Sequence, residues 1–144
     1  SRLPGWDRAL PLVIERHMAL LGEWGVSDCW MLTMDAIEAV TGEPVLKHLR
    51  RYKTEVGGYR LFAKHGFTTV EEALASALQP VGRLSAQRGD VGVIERDGLI
   101  SSGVFDAEGF VVKTLYGEGR TVTHSDIRHF PITAVKAAFK VGRE

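Results

Sequence analysis

The segment Arg88-Gly89-Asp90-Val91-Gly92-Val93-Ile94-Glu95-Arg96-Asp97-Gly98-Leu99-Ile100-Ser101-Ser102-Gly103-Val104-Phe105 decides the fold class. Two short runs, Val91 to Glu95 and Leu99 to Phe105, flank Arg96-Asp97-Gly98, and an Asp-Gly pair readily supplies the positive φ angles of a tight hairpin turn. A second turn, Asp106 to Gly109, leads to a third run, Phe110 to Leu115. Near the end of the chain Val135, Ala137, Phe139 and Val141 alternate with Lys136, Ala138 and Lys140, the period of a half-buried strand. Four strands in one antiparallel sheet are predicted.

Upstream of Arg88 the period changes to that of helices. Leu10, Val13, Ile14, His17, Leu20 and Leu21 fall on one helical face, and Gly22 offers a stop. A second helix is predicted to begin at Cys29. Its N-cap is Asp28, whose carboxylate accepts from otherwise unpaired first-turn amides, and its C-cap is Gly42. Cys29, Leu32, Ala36, Ile37 and Val40 form its buried stripe. A third helix is expected from about Thr54 to His65, stopped by Gly66 and weakened at its start by Gly57-Gly58, which cost roughly 1 kcal/mol each relative to alanine. Thr69-Val70-Glu71-Glu72 reads as a capping box opening a fourth helix that runs toward Pro80. The fold class is therefore α+β: N-terminal helices followed by a small antiparallel sheet.

The chain has 144 residues, 44% hydrophobic and 25% charged, which suits one compact soluble domain over 1–144 that buries roughly 70% of its unfolded surface. No repeat, low-complexity tract or linker divides it. Eighteen basic residues balance eighteen acidic ones. Nucleic acid is not an expected partner, because the balance leaves no global positive field, and the basic run Lys47 to Lys53 is read as a solvated face. No apolar run suffices for membrane insertion, and the first residues lack a signal-peptide segment.

Cys29 is the only cysteine, which excludes an internal disulfide and a multi-cysteine metal site. A thiol on the first turn of a helix faces unpaired amides and the positive end of the helix dipole, which favour a thiolate nucleophile. The alternative is that Cys29 is a small hydrophobe on the buried stripe, and Asp28 beside it opposes the thiolate.

Trp24-Gly25 followed by Asp28-Cys29 at a helix start, Arg88-Gly89-Asp90-Val91 opening a strand, and Ser101-Ser102-Gly103-Val104-Phe105 in the next strand resemble the NlpC-type cell-wall peptidases. These are papain-like cysteine hydrolases that cut the peptide stems of peptidoglycan. The likeness spans Trp24 to Phe105, with a helical insertion at about 44–80. It implies a papain-like core in which Cys29 matches the nucleophile, Asp90 the turn aspartate, and Gly103, Val104 and Phe105 the Gly-Ile-Tyr of the histidine strand. Ser101 then occupies the catalytic histidine position. A hydroxyl has no basic lone pair that titrates near neutrality, so it cannot take the thiol proton. The third, orienting residue falls near Lys113 or Thr114, and neither fits the pattern. Asp28, Asp90 and Gly103 are expected to be structural.

The Trp-Gly-x-x-Asp-Cys start, the Thr41-Gly42 that ends the helix and the Ala-rich last strand resemble a divergent branch of small phage and prophage proteins. That resemblance implies a structural or assembly role with other tail-tip proteins, in a virion tail. The alternative is an active thiol hydrolase acting on peptidoglycan, with His124 or His129 as substitute base. His17 is expected to pack on the apolar face of the first helix. Trp24 and Trp30, which flank the cysteine, and Tyr52, Tyr59 and Phe62 in the insertion are candidate interface anchors. No histidine pair has the spacing of a preformed metal site, and no metal or other cofactor is expected.

Overall fold

A computed structural model describes residues 1–118 and 120–143. Among them, four α-helices precede a six-stranded antiparallel sheet, so the fold is α+β with its helices N-terminal. The helices are α1 (Trp6–Ala19), α2 (Cys29–Thr41), α3 (Glu55–Lys64) and α4 (Val70–Ala77). The strands are β1 (Pro80–Val81), β2 (Val91–Arg96), β3 (Leu99–Phe105), β4 (Phe110–Glu118), β5 (Thr121–Phe130) and β6 (Val135–Phe139), in spatial order β1-β6-β2-β3-β4-β5.

The helix boundaries follow local chemistry. Asp28 caps α2 by accepting from the Met31 amide at 2.8 Å, and Gly42 closes it with φ of 78°. Thr54 caps α3 through the Gly57 amide at 2.9 Å. Thr69 caps α4 through the Glu72 amide, whereas the Glu72 carboxylate accepts from the amide and hydroxyl of Thr68, one residue before the expected partner. α4 ends at Ala77, short of Pro80, and α1 ends at Ala19. Leu20 and Leu21 thus lie beyond α1 and are exposed, Leu21 at 89%, which corrects their expected place on its buried face.

Six strands replace the expected four. β1 has two residues, too few to carry a period, and β5 lies at the sheet edge with a mostly exposed, polar pattern that conceals it in the sequence. The Asp97-Gly98 turn has φ of 51° and 78°, the two positive values of a type I′ hairpin.

Alternation along the strands sorts the core into two clusters. Val91, Val93, Val104 and Val111 face the helices and pack with Leu32, Ile37 and Leu74. Ile94, Phe105, Phe110 and Val112 face the opposite side with Val135 and Ala138. Gly103 sits where a Cβ would lie 2.2 Å from the Val111 carbonyl oxygen, so only glycine allows β4 to approach there.

Asp90 ties the sheet to both ends of the described chain. Its carboxylate is fully buried and accepts from Arg2 at 3.0 Å, from Arg143, and from the amides of Gln87 and Val141. Removing one side of such a buried pair leaves uncompensated charge. Asp90→Ala is expected to cost about 3–5 kcal/mol in denaturant unfolding, against less than about 0.5 kcal/mol for the exposed Asp126→Ala control.

Candidate functional site

β3 and β4 pair through Val104 with Val111 and Phe105 with Phe110, and their register goes no further. Beyond these pairs the strands part, and the start of α2 occupies the fork. The Ser102 hydroxyl donates to the Cys29 carbonyl at 3.1 Å and accepts from Thr33 at 2.8 Å, which fixes the α2 start on β3. Cys29, first residue of α2, is half-buried and packs against the second cluster. Ser101 alternates onto the face of that cluster, while Ser102 turns to α2. Cys29 and Ser101 line one cavity of about 480 Å³, within the range of small-ligand sites.

The insertion forms a wall of this cavity, through Tyr52, Glu55, Tyr59 and Phe62. Trp24 stands beside them, half-buried. Trp30 is buried and packs edge-on against Phe62, with centroids 5.0 Å apart. Tyr52 reaches inward, its hydroxyl donating to Asp28 at 2.6 Å, whereas Tyr59 remains 55% exposed at the rim. Gly25 permits the approach of the insertion: its φ is 79°, and a Cβ there would lie 1.8 Å from the Tyr52 carbonyl oxygen.

The electrostatics oppose an activated thiol. Burial pushes the Cys29 thiol up, the Asp28 carboxylate adds to this, and hydrogen bonding from Ser102 and the Trp30 amide offsets it only partly, leaving a value of about 11. Burial also raises Asp28 above the usual carboxylate range, against hydrogen bonds from Tyr52, Gly25 and Met31. Among the described residues no histidine lines the cavity. His124, on β5, stacks on Tyr116 at 4.5 Å between centroids and meets the Thr123 hydroxyl at 3.2 Å. His129 pairs with Asp106 at 2.8 Å. No group of three metal-ligating side chains occurs among the described residues.

Sequence reasoning missed a buried polar network behind the cavity. Lys113 projects from β4 toward the helices and donates to the His17 carbonyl at 2.6 Å, the Leu20 carbonyl at 2.8 Å and the Ser27 hydroxyl at 2.5 Å. Three ammonium donors meet three acceptors, two of them carbonyls at the C-terminal end of α1, where a cation suits the helix dipole. Burial nevertheless lowers the Lys113 value, with Asp28 acting the other way. Because an ammonium has no lone pair, Ser27 accepts from Lys113 and is left to donate to His17 Nδ1 at 2.7 Å; Nε2 faces Asp35 at 2.7 Å. Burial raises the Asp35 carboxyl, but hydrogen bonds from His17 and Arg50 outweigh it and hold the group low.

This Ser27-His17-Asp35 row has the residue types of a hydrolytic triad without its access. Ser27 and His17 are buried, the Ser27 oxygen is held by Lys113, and neither residue lines the cavity. The row therefore joins α1, the loop after it, α2 and β4. Its members are distant in sequence, and only the apolar placement of His17 gave a local signal.

The family model described as "Domain of unknown function (DUF6950)" matches residues 1–141. The chain belongs to the DUF6950 family. No curated protein and no solved structure matches it. No helix among the described residues of this DUF6950 domain is long and apolar enough to cross a membrane.

Lys113 carries the most specific structural expectation at the site. Lys113→Met keeps the length and apolar stem but leaves the α1 carbonyls and Ser27 without their donor. Urea unfolding is expected to show a loss of about 2 kcal/mol, the scale of a hydrogen-bonded cation at a helix C-terminus.

Proposed function

We propose that this domain is a non-catalytic assembly module on a degenerate papain-like fold of the NlpC type, acting as a subunit of a phage-type tail tip and carried in the virion tail. The observation that carries the non-catalytic part is the environment of Cys29: a thiol raised to about 11, in a cavity that no histidine lines among the described residues. At neutral pH such a group holds its proton, and no imidazole stands ready to remove it or to protonate a leaving amine. Ser101, at the position that the NlpC resemblance gives to histidine, lines the same cavity and offers only a hydroxyl.

The tail-tip part rests on the sequence resemblance and is supported by the cavity's aromatic wall. Trp24 is half-buried and Tyr59 exposed, so large apolar area is presented where a partner's side chains can cover it. Other tail-tip proteins are the proposed partners. Peptidoglycan is a substrate only under the alternative, an active thiol hydrolase, which His124 supports poorly from its place against Tyr116.

Two assays on the purified chain test this reading. Peptidoglycan stem peptides are expected to remain uncut, as with Cys29→Ala. Mixing with neighbouring tail-tip proteins is expected to give a complex that Cys29→Ala retains and that Trp24→Ala with Tyr59→Ala weakens at least tenfold. Cleavage that depends on Cys29 would overturn the non-catalytic reading, and absence of any complex would overturn the assembly role.

A further inference from the structure

The geometry points to the outer edge of β5 as the seam of a homodimer, in which residues 124–130 of two copies pair antiparallel about a two-fold axis at Ile127 and the two sheets become one. This surface is separate from the cavity and owes nothing to the tail-tip reading above.

The two edges of the sheet differ in kind. β1, at one end, has two residues and opens with Pro80, and beyond it Arg83 donates to the Val135 carbonyl of β6 at 3.1 Å. Shortness, a proline and side-chain cover all discourage a further strand from adding. β5, at the other end, has 10 residues and contains neither proline nor lysine. It pairs with β4 on its inner side, and among the described residues its main chain has no main-chain partner on the outer side. A strand paired on one side turns the amide and carbonyl of alternate residues toward its open side. The register shift at Tyr116 and Gly117 interrupts the first part of β5 and leaves His124 to Phe130 as a regular run of about 24 Å at ~3.4 Å per residue.

The loop after α1 leaves that edge open. Gly22 donates to the Ser125 hydroxyl at 2.9 Å, and a Cβ on Gly22 would lie 2.6 Å from the Ser125 Cβ and 2.8 Å from the Leu115 Cγ. Leu115 and Ser125 are register partners, so the loop sits over the face of the β4–β5 pair, inward of the outer edge. His124, Asp126, Arg128 and His129 are exposed. Leu20 and Leu21, immediately before Gly22, are exposed at 40% and 89%, and put apolar area on the helical side of the seam.

Charge selects the occupant and its register. About a two-fold axis normal to the sheet, paired residues share a face, so the pairing centres on a single residue of β5. Centred on Asp126 or on Arg128, it sets that charge directly opposite its own copy, which is unfavourable. Centred on Ser125, it engages only 124–126 of the regular run. Centred on Ile127, it engages all of 124–130: Asp126 of each copy faces Arg128 of the other, Ser125 faces His129, and His124 faces Phe130. Among the described residues neither Asp126 nor Arg128 forms an ion pair within its own chain. A strand whose unmatched charges are complemented by its own reversed sequence fits a second copy of itself. Pairing over this length buries less than the ~1,600 Å² of a standard interface, so the dimer is weak, and at ~1 µM the chain is a monomer in which Asp126 is exposed.

Sedimentation equilibrium of the full chain from ~1 to ~500 µM is expected to show a monomer that becomes a dimer, with hydrogen exchange of the 124–130 amides slowing over the same range. Asp126→Arg alone and Arg128→Asp alone each set like charges opposite in both symmetric pairs, and each is expected to weaken association about tenfold or more. An equimolar mixture of the two variants restores opposite charges in both pairs. It is expected to form a heterodimer within about threefold of the wild-type affinity, which a misfolded variant could not do. A chain that stays monomeric at ~500 µM, single variants that associate like the wild type, a mixture that stays monomeric, or a dimer that leaves 124–130 unprotected would each overturn the seam. Protection of 124–130 that requires added tail-tip proteins, with the chain itself monomeric, would give the edge to a different partner and overturn it as well.

Discussion

Lys113 is the tether on which the site depends. It leaves β4 on the helical side and donates to two carbonyls at the end of α1 and to Ser27, which in turn meets His17. A buried ammonium is costly unless its donors are matched, and here the matching partners are fixed by a helix terminus, so β4 must run where α1 ends. That course carries β4 away from β3 after two register pairs. The start of α2 fills the opening, and the insertion closes its helical side. Remove the tether, and neither the fork nor the placement of Cys29 within it follows from the rest of the sheet.

The network behind Cys29 also accounts for a helix-start thiol that is held above its ordinary value. The two effects that favour a thiolate at a helix N-terminus, free amides and the dipole, are largely claimed by Asp28: its carboxylate accepts from Gly25, Met31 and Tyr52. The same carboxylate then acts on the neighbouring thiol as a negative charge, in the same direction as burial. One residue thus serves the α2 cap at the expense of the nucleophile. A papain-like reading of the site needs an imidazole to reverse that balance, and the cavity offers Ser101, Thr114 and Tyr116 hydroxyls instead.

What the sequence made legible was chemistry confined to a few neighbouring residues. Asp28 and Gly42 mark the ends of α2, Thr54 and Thr69 the starts of α3 and α4, and Asp97-Gly98 the β2–β3 turn, because each signal is read by amides within four residues. β5 was not legible, since an edge strand with polar residues on both faces has no clean alternation, and Leu20-Leu21 misled because apolar residues continue the α1 pattern past its last turn. The site was half legible. Cys29, Ser101 and the aromatic residues of the insertion do line one cavity, but the tether of Lys113, a position that the resemblance marks only as an ill-fitting orienting residue, was not legible, because a lysine in a strand normally faces water and its acceptors lie 86 to 96 residues away. His124 stacks on Tyr116, a cross-strand neighbour that sequence distance alone does not reveal, and it does not line the cavity with Cys29.

The central claim is that Cys29 rests as a protonated thiol in a cavity suited to binding. Its most direct measurement is a titration of thiolate absorbance in the native protein, with Cys29→Ala as the blank, since the chain has one cysteine. The account predicts no thiolate signal at pH 8 and a rise only toward about pH 11, where burial and Asp28 place the group. A midpoint below pH 8 would contradict it, because only a base or an unopposed helix dipole acting on Cys29 could hold the thiolate there.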